Sequence, residues 1–373
     1  MNSAAASHDR PLRILLLSKY SRLGASTRLR SLQYEPYLTA HGCEIVHKPL
    51  FDDAYLRNLY AGAGRSKTAM LKRYLTRVVD ILRAGQFDLL WIEYEALPYV
   101  PDIFERLLVS NAVPYVVDYD DAVFHNYDLA PNRLLRRMLA SKIDRVMSRA
   151  AAVICGNDYL LQRARVAGAR RLEQVPTVVD IDRYPVSQGS RDSAISRECV
   201  VGWIGSPSTE QYIRELAPVL VSLSENFPVR FVLVGASQGV AEHFSRMPVD
   251  IEPWSEQAEV ELLSRMDIGL MPLPDGPWER GKCGYKLIQY MASGMPVIAS
   301  PVGVNQRIVE EWDCGLLAAD PEQWYDALSA LIADPAEADR LARNGRRAVE
   351  EYYSLQVQAP RLAEILRSAV SER

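Results

Sequence analysis

Short apolar runs alternate with longer segments of helical period along most of the chain. LRILLLSKY (12–20), CEIVHKP (43–49), FDLLWIEY (87–94), PYVVDYD (114–120) and AAVICGN (151–157) predict buried strands in the first half. Apolar residues spaced three or four apart predict helices over 25–41, 65–85, 99–110, 132–150 and 157–167. The alternation resumes with VVGWIG (200–205), VRFVLVG (229–235), DIGLMPL (267–273) and MPVIAS (295–300). Helices are expected near 208–225, 256–265, 284–293 and 322–333. Strands apolar on both faces and separated by helices make parallel sheets covered on both sides. The expected class is therefore α/β, with two doubly wound Rossmann-like domains facing across a cleft.

The polar stretch 186–197, rich in Ser and Arg, reads as the linker. That places one domain at 12–187 and a second at 198–353, with a last segment, 354–373, returning to the first. Pro360 is expected to bend the helical region 336–371. The opening MNSAAASHDRP has no apolar h-region, so residues 1–11 read as a disordered tail.

Charge adds an asymmetry. The chain carries a formal −4, but residues 1–190 hold 26 Lys and Arg against 20 Asp and Glu, a balance of +6, leaving −10 for the rest. Different partners for the two halves follow. The five cysteines show no CxxC and no His spacing, which argues against a zinc site or a disulfide framework and suits a reducing cytoplasm. No run reaches the roughly 18 apolar residues of a membrane span. No GxGxxG follows the first strand, which disfavours a dinucleotide-dependent oxidoreductase.

Candidate chemistry concentrates in GKCGYKLIQYMASGMPVIASPVGVN (281–305). A loop with Gly281 and Gly284 leads into an amphipathic helix, with Lys282 and Lys286 at its start. A helix N-terminus carries about half a positive charge and attracts anions, so phosphate is the expected guest. The loops GWIGSPSTEQ (202–211), with Gly205 and with Ser206 and Ser208 suited to cap a helix, and LVGAS (233–237), with Gly235, end neighbouring strands. In such sheets ligands gather at the carboxyl ends of strands. Together these loops describe a nucleotide-diphosphate site.

GYKLIQYMASGMPVIASPVGVN resembles the signature EGFGxxxLEAMAxGxPVIA of GT-B retaining glycosyltransferases of the family 4 type. VPTVVDIDRYP (175–185), AVICGNDYL (152–160), FVLVGAS (231–237) and SKYSRLGASTRLRSLQY (18–34) match in order. The resemblance implies a nucleotide diphosphate sugar as donor, no metal cofactor, and transfer with retention to a carbohydrate or polyprenyl-linked acceptor. By this match Gln289 stands where the family glutamate holds the ribose, and Gly281 where another contacts the sugar, with Glu279 a nearby carboxylate. The family's Arg and Lys after the first strand of the second domain are missing, so Lys282, Lys286 or Arg280 would neutralise the diphosphate, with Cys283, Gly284 and Tyr285 lining it. A degenerate nucleotide-sugar-binding subunit and a sugar-nucleotide epimerase are the alternatives.

In the first half, Gly24, Arg28 and Arg30 form the first loop and would meet a donor or acceptor phosphate. VVDYDDAVFHN (116–126) contains a DxD at Asp118–Asp120, and Asp120, Asp121 or His125 would approach the reacting sugar as the family histidine does. Glu93 and Glu95 end a strand and would hold acceptor hydroxyls. Segments 65–85 and 133–150 each carry six Lys and Arg and a single Asp. They suggest peripheral contact with an anionic membrane, at its cytoplasmic face. A pI near 5.9 and the lack of a recognition module argue against nucleic acid.

Overall fold

The computed structural model describes residues 10–60, 66–109, 113–185, 198–244 and 247–371. The predicted linker at 186–197 and nearly all of the predicted tail, residues 1–9, lie outside the described residues. The chain divides into two compact units, Met1–Thr177 with Gln358–Arg373, and Val178–Val357.

The first unit is built on a six-stranded parallel sheet of order β2-β1-β3-β4-β5-β6. Its strands are β1 (Leu12–Tyr20), β2 (Cys43–Phe51), β3 (Leu89–Glu93), β4 (Tyr115–Tyr119), β5 (Ala152–Cys155) and β6 (Leu172–Gln174). β3, β4 and β5 are buried at every position, as their unbroken apolar runs require of strands covered on both faces. The second unit has a sheet of order β12-β11-β10-β7-β8-β9, again all parallel. It comprises β7 (Cys199–Ile204), β8 (Val229–Val234), β9 (Val249–Glu252), β10 (Ile268–Met271), β11 (Val297–Ala299) and β12 (Gly315–Leu317). The α/β reading with two doubly wound sheets is thus what the chain adopts.

Strand order reverses between β1 and β3 in one sheet and between β7 and β10 in the other, where such folds leave a crevice for ligands. The predicted 25–41 helix is two short helices, Ala25–Arg30 and Glu35–Ala40, around a single turn. The predicted 132–150 helix breaks likewise into Arg133–Leu139 and Lys142–Arg149. Pro360 does not mark the break in the last segment. That break lies at Tyr352–Ser354, and Pro360 sits inside the helix Leu355–Ser371. One missing N–H bond is offset there by burial of Leu362, Ile365, Leu366 and their alanine neighbours.

Candidate functional site

In the second unit the helix Tyr285–Ala292 begins at the switch point. Gly284 caps it with φ +68° and, as a glycine, supplies no side-chain cap. Tyr290 pins it on both sides of the crevice. Its hydroxyl accepts from Ile204 N at 3.0 Å, at the end of β7, and donates to Leu270 O at 3.1 Å, in β10. Gly269 makes room, because a Cβ there would lie 2.3 Å from the Tyr290 ring.

That pinning sets Lys286 in the first turn, with its Nζ 4.7 Å from the centre of the Trp203 ring. The side chain as a whole is half-buried, but its surroundings strip water from the ammonium. Burial, with Lys282 adding repulsion, lowers its pKa to about 7. Lys282 itself lies 5.7 Å from the centre of the Trp278 ring. Asn305, wholly buried, approaches the Gly284 backbone, and neither its Oδ1 nor its Nδ2 finds a hydrogen-bond partner among the described residues. Buried amides are normally satisfied, so this one is suited to a polar guest. A cation, a helix start and an orphaned amide therefore meet beside the end of β7.

The glycines do other work than predicted. Gly284 is required by its φ and by the side chains of Ile308 and Val304, 2.8 and 3.2 Å from a Cβ. Gly205 lets the Trp203 ring fold beneath the loop, and Gly235 (φ +80°) passes within 2.4 Å of Gly205 O. These close approaches are to protein. Gly281 has an ordinary φ of −78° and ends the short helix Pro277–Arg280. Ser206 and Ser208 bond each other at 2.9 Å and cap nothing; the helix Glu210–Asn226 starts at Thr209, whose Oγ1 accepts from Ser206 N. Glu210 ties in the β8 loop by accepting from Ser237 N and Oγ.

Gln289 is turned inward. Only 2% exposed, its side chain lies by the Tyr184 hydroxyl, which donates to Glu259 at 3.1 Å, and its Nε2 has no hydrogen-bond partner among the described residues. It is packed among core groups rather than presented to a ribose. Glu279 accepts from the Tyr212 hydroxyl at 2.7 Å, and Arg280 is forked onto Asp275 at 2.7 and 2.9 Å. That pairing occupies the guanidinium expected to neutralise a diphosphate. Cys283 is buried against Gly281 O, and Tyr285 is half-buried in the first turn.

In the first unit the predicted residues divide. Arg30 is an interior cation, 3% exposed, bonded to Asp118 at 2.8 Å and to Val175 O, not a phosphate ligand on a loop. Asp118 is thereby engaged by Arg30, while Asp120 is bound by the Tyr94 hydroxyl. Burial outweighs Arg30 and lifts the Asp118 carboxyl to about 6. Arg28 is also buried and donates to Arg22 O. Gly24 packs on Tyr20, whose Cβ lies 2.6 Å from where its own would be. Glu95 accepts from the Tyr127 hydroxyl at 2.6 Å and pairs with buried Lys142 at 2.5 Å, so it belongs to the core and not to an acceptor. His125 spends both ring nitrogens inside the unit, on Asp128 at 2.7 Å and Tyr159 at 2.9 Å.

What remains near the β1–β3 switch point is compact. Glu93 meets Thr27 Oγ1 at 2.5 Å, and its other oxygen has no partner. Burial raises its pKa to about 8, opposed by the Thr27 bond and reinforced by Asp120 and Asp118. Asp120 is bound by the Tyr94 hydroxyl, which also lies 2.9 Å from Ser26 Oγ. Tyr94 holds φ +62°, a costly conformation for a bulky residue. Asp121 is half-buried beside this group. Among the described residues no three His, Cys, Asp or Glu side chains gather as a metal site.

Trp203, Tyr290, Asn305 and Tyr94 escaped the sequence reading. A Trp two residues before the β7 glycine, and an Asn two after Gly303, were the available signals.

Residues 198–334 match the family model described as glycosyl transferases group 1. The Bacillus subtilis protein TuaH, named as a teichuronic acid biosynthesis glycosyltransferase, is 24% identical over 64% of this chain and 62% of its own length. The chain spans about half the length of the curated relatives it matches. Sucrose-phosphate synthase from Thermosynechococcus elongatus superposes with a TM-score of 0.73, covering 97% of this chain and 100% of that one at 17% identity. Anabaena HepE in complex with UDP-glucose gives 0.72, covering 96% and 100% at 17% identity. The second unit is thus similar in sequence to group 1 glycosyl transferases, and the whole chain has the fold of the GT-B enzymes.

Proposed function

We propose that this chain moves a sugar from a nucleotide diphosphate sugar to a carbohydrate or lipid-linked acceptor, in the assembly of a surface polysaccharide or related glycan. The observation that carries this reading is the Lys286 ammonium held over Trp203 at the start of an uncapped helix, with orphaned Asn305 beside it. The family match over 198–334 and the UDP-glucose bound by HepE support a nucleotide sugar as the guest.

The chemistry proposed is retaining. The bond between the anomeric carbon and the diphosphate oxygen breaks while the acceptor oxygen attacks from the same face. The acceptor proton passes to the leaving phosphate oxygen. Lys286 and the helix N-terminus stabilise the charge that develops there, which removes the need for a metal.

Screening UDP-, GDP- and dTDP-sugars by thermal shift, followed by radioactive sugar transfer from the best donor, tests the proposal. A donor that raises the melting temperature and is consumed only with acceptor present is expected. Binding without transfer to any acceptor in a broad panel would favour a nucleotide-sugar-binding subunit. Donor conversion without acceptor would favour an epimerase.

A further inference from the structure

In the first unit three loops bring polar groups together at the carboxyl ends of β1, β3 and β4. Glu93 is the last residue of β3, and Tyr94 follows it, with its N bonded to Asp118 O at 3.1 Å. Asp120 and Asp121 follow β4, and Ser26 and Thr27 lie at the start of the helix Ala25–Arg30 after β1. Glu93 and Tyr94 are 4 and 7% exposed, while Asp120, Asp121 and Ser26 are half-buried. Glu93 therefore lies deepest, and the two aspartates reach solvent.

The hydroxyl protons of this cluster are already placed. Burial, then Asp120, Asp121 and Glu93, push the Tyr94 phenol well above its usual range, so it keeps its proton. That proton goes to Asp120, and the Thr27 proton goes to Glu93. What remains is acceptors. The second oxygen of Glu93 is buried without a hydrogen-bond partner among the described residues, and the Asp120 carboxylate is half-buried beyond its Tyr94 bond. A buried carboxylate oxygen is normally bonded, so the orphan on Glu93 points to a guest that donates.

The cations nearby are engaged elsewhere. Arg30 is paired with Asp118. Arg77 gives its guanidinium to the carbonyls of Ser18, Lys48 and Ala96, and Lys19 lies over the Tyr20 ring, 5.2 Å from its centre. Against Lys19 and Arg77, the carboxylates of Glu93, Asp120 and Asp121 hold the larger charge. Burial, with Asp120 and Asp118 adding repulsion, keeps the Glu93 carboxyl at about 8 despite the Thr27 bond. The cluster thus resists completing its own negative charge, and a cation removes that resistance.

A hydroxyl guest would donate one proton and turn its own lone pairs toward carboxylates. An ammonium donates three and brings the opposite charge. A phosphate or carboxylate would be repelled. We propose that the cluster binds the ammonium of an amino sugar, so that the acceptor is a saccharide with a free amine near the hydroxyl that receives the transferred sugar. The ammonium site stands without the glycosyl-transfer reading; its role as acceptor site rests on that reading.

The test is calorimetric titration of the full chain, with and without UDP. The ligands are methyl glucosaminide, methyl 6-amino-6-deoxyglucoside, the N-acetyl form of each, methyl glucoside and glucose 6-phosphate. At least one amine should bind about tenfold or more tighter than its N-acetyl and hydroxyl counterparts, with glucose 6-phosphate the weakest. E93Q and D120N should each cut the amine affinity about tenfold or more at an unchanged melting temperature. E44Q, at an exposed carboxylate paired with Arg13, should change nothing. D120N, at the half-buried rim, decides the matter should E93Q fail to fold. The proposal is overturned if neither amine binds, if the N-acetyl or hydroxyl forms bind as tightly, or if amine binding survives both variants. Mg²⁺ binding that E93Q abolishes would overturn it too and assign the carboxylates to a metal. An amine that binds here yet receives sugar from no UDP-, GDP- or dTDP-sugar would overturn the acceptor role and leave the ammonium site standing.

Discussion

Under the proposed function, Lys286 is the residue on which donor binding turns. Its ammonium, lowered to about 7 by burial and Lys282, is only partly charged at neutral pH. A bound diphosphate favours the charged form, so binding must draw a proton from solution whenever the pH exceeds about 7. UDP-glucose carries no group of its own titrating there, so its affinity should fall up to about tenfold per pH unit above 7 and level off below. Calorimetry in buffers of different ionisation enthalpy should register the proton uptake. K286M should weaken binding by about tenfold or more at pH 6.5 and abolish the pH dependence. A variant that keeps the parent's slope would remove Lys286 from the site. The helical period around Lys286 was legible in the sequence, but the Trp203 ring beneath it was not, since the two residues are 83 positions apart.

At the scale of elements, the loops after β7 and β8 are shaped by contact with each other. Gly235 has φ +80° and no space for a side chain, with Gly205 O 2.4 Å from a Cβ. G235A should therefore cost about 1–3 kcal/mol in urea unfolding and weaken donor binding by displacing the β7 loop. G85A, where a Cβ would meet nothing within 4 Å, should stay close to neutral. The long strands and most of the helices follow from their apolar period. The short strands β6, β9 and β12, of three or four residues, were not predicted, because so few positions hold too little pattern to separate a strand from a loop. The helix Val304–Trp312 was missed as well, beginning at Gly303 with φ +56°.

At the scale of the molecule, the last helix belongs to the unit that begins the chain. Leu362, Ile365 and Leu366 are at most 3% exposed, and Arg367 donates to His41 O. Removing residues 358–373 should destabilise the first unit by roughly 5 kcal/mol or more, from the apolar side chains lost. Hydrogen exchange should quicken in β1 and β2, while the second unit keeps its protection. Equal loss of protection in both units would contradict this division of the chain.

Hydrophobic period and turn chemistry are local properties, and they sufficed for the parallel α/β class, most element positions and the helix start near Gly284. Which charged groups face a ligand is not local. Arg30 and Asp118 find each other across 88 positions, Lys142 and Glu95 across 47, and the low dielectric of the interior makes such pairs mandatory once both are buried. Folding therefore drew Arg30 and Glu95 into interior pairs. It left the Asn305 amide, Gln289 Nε2 and one oxygen of Glu93 buried without a partner among the described residues.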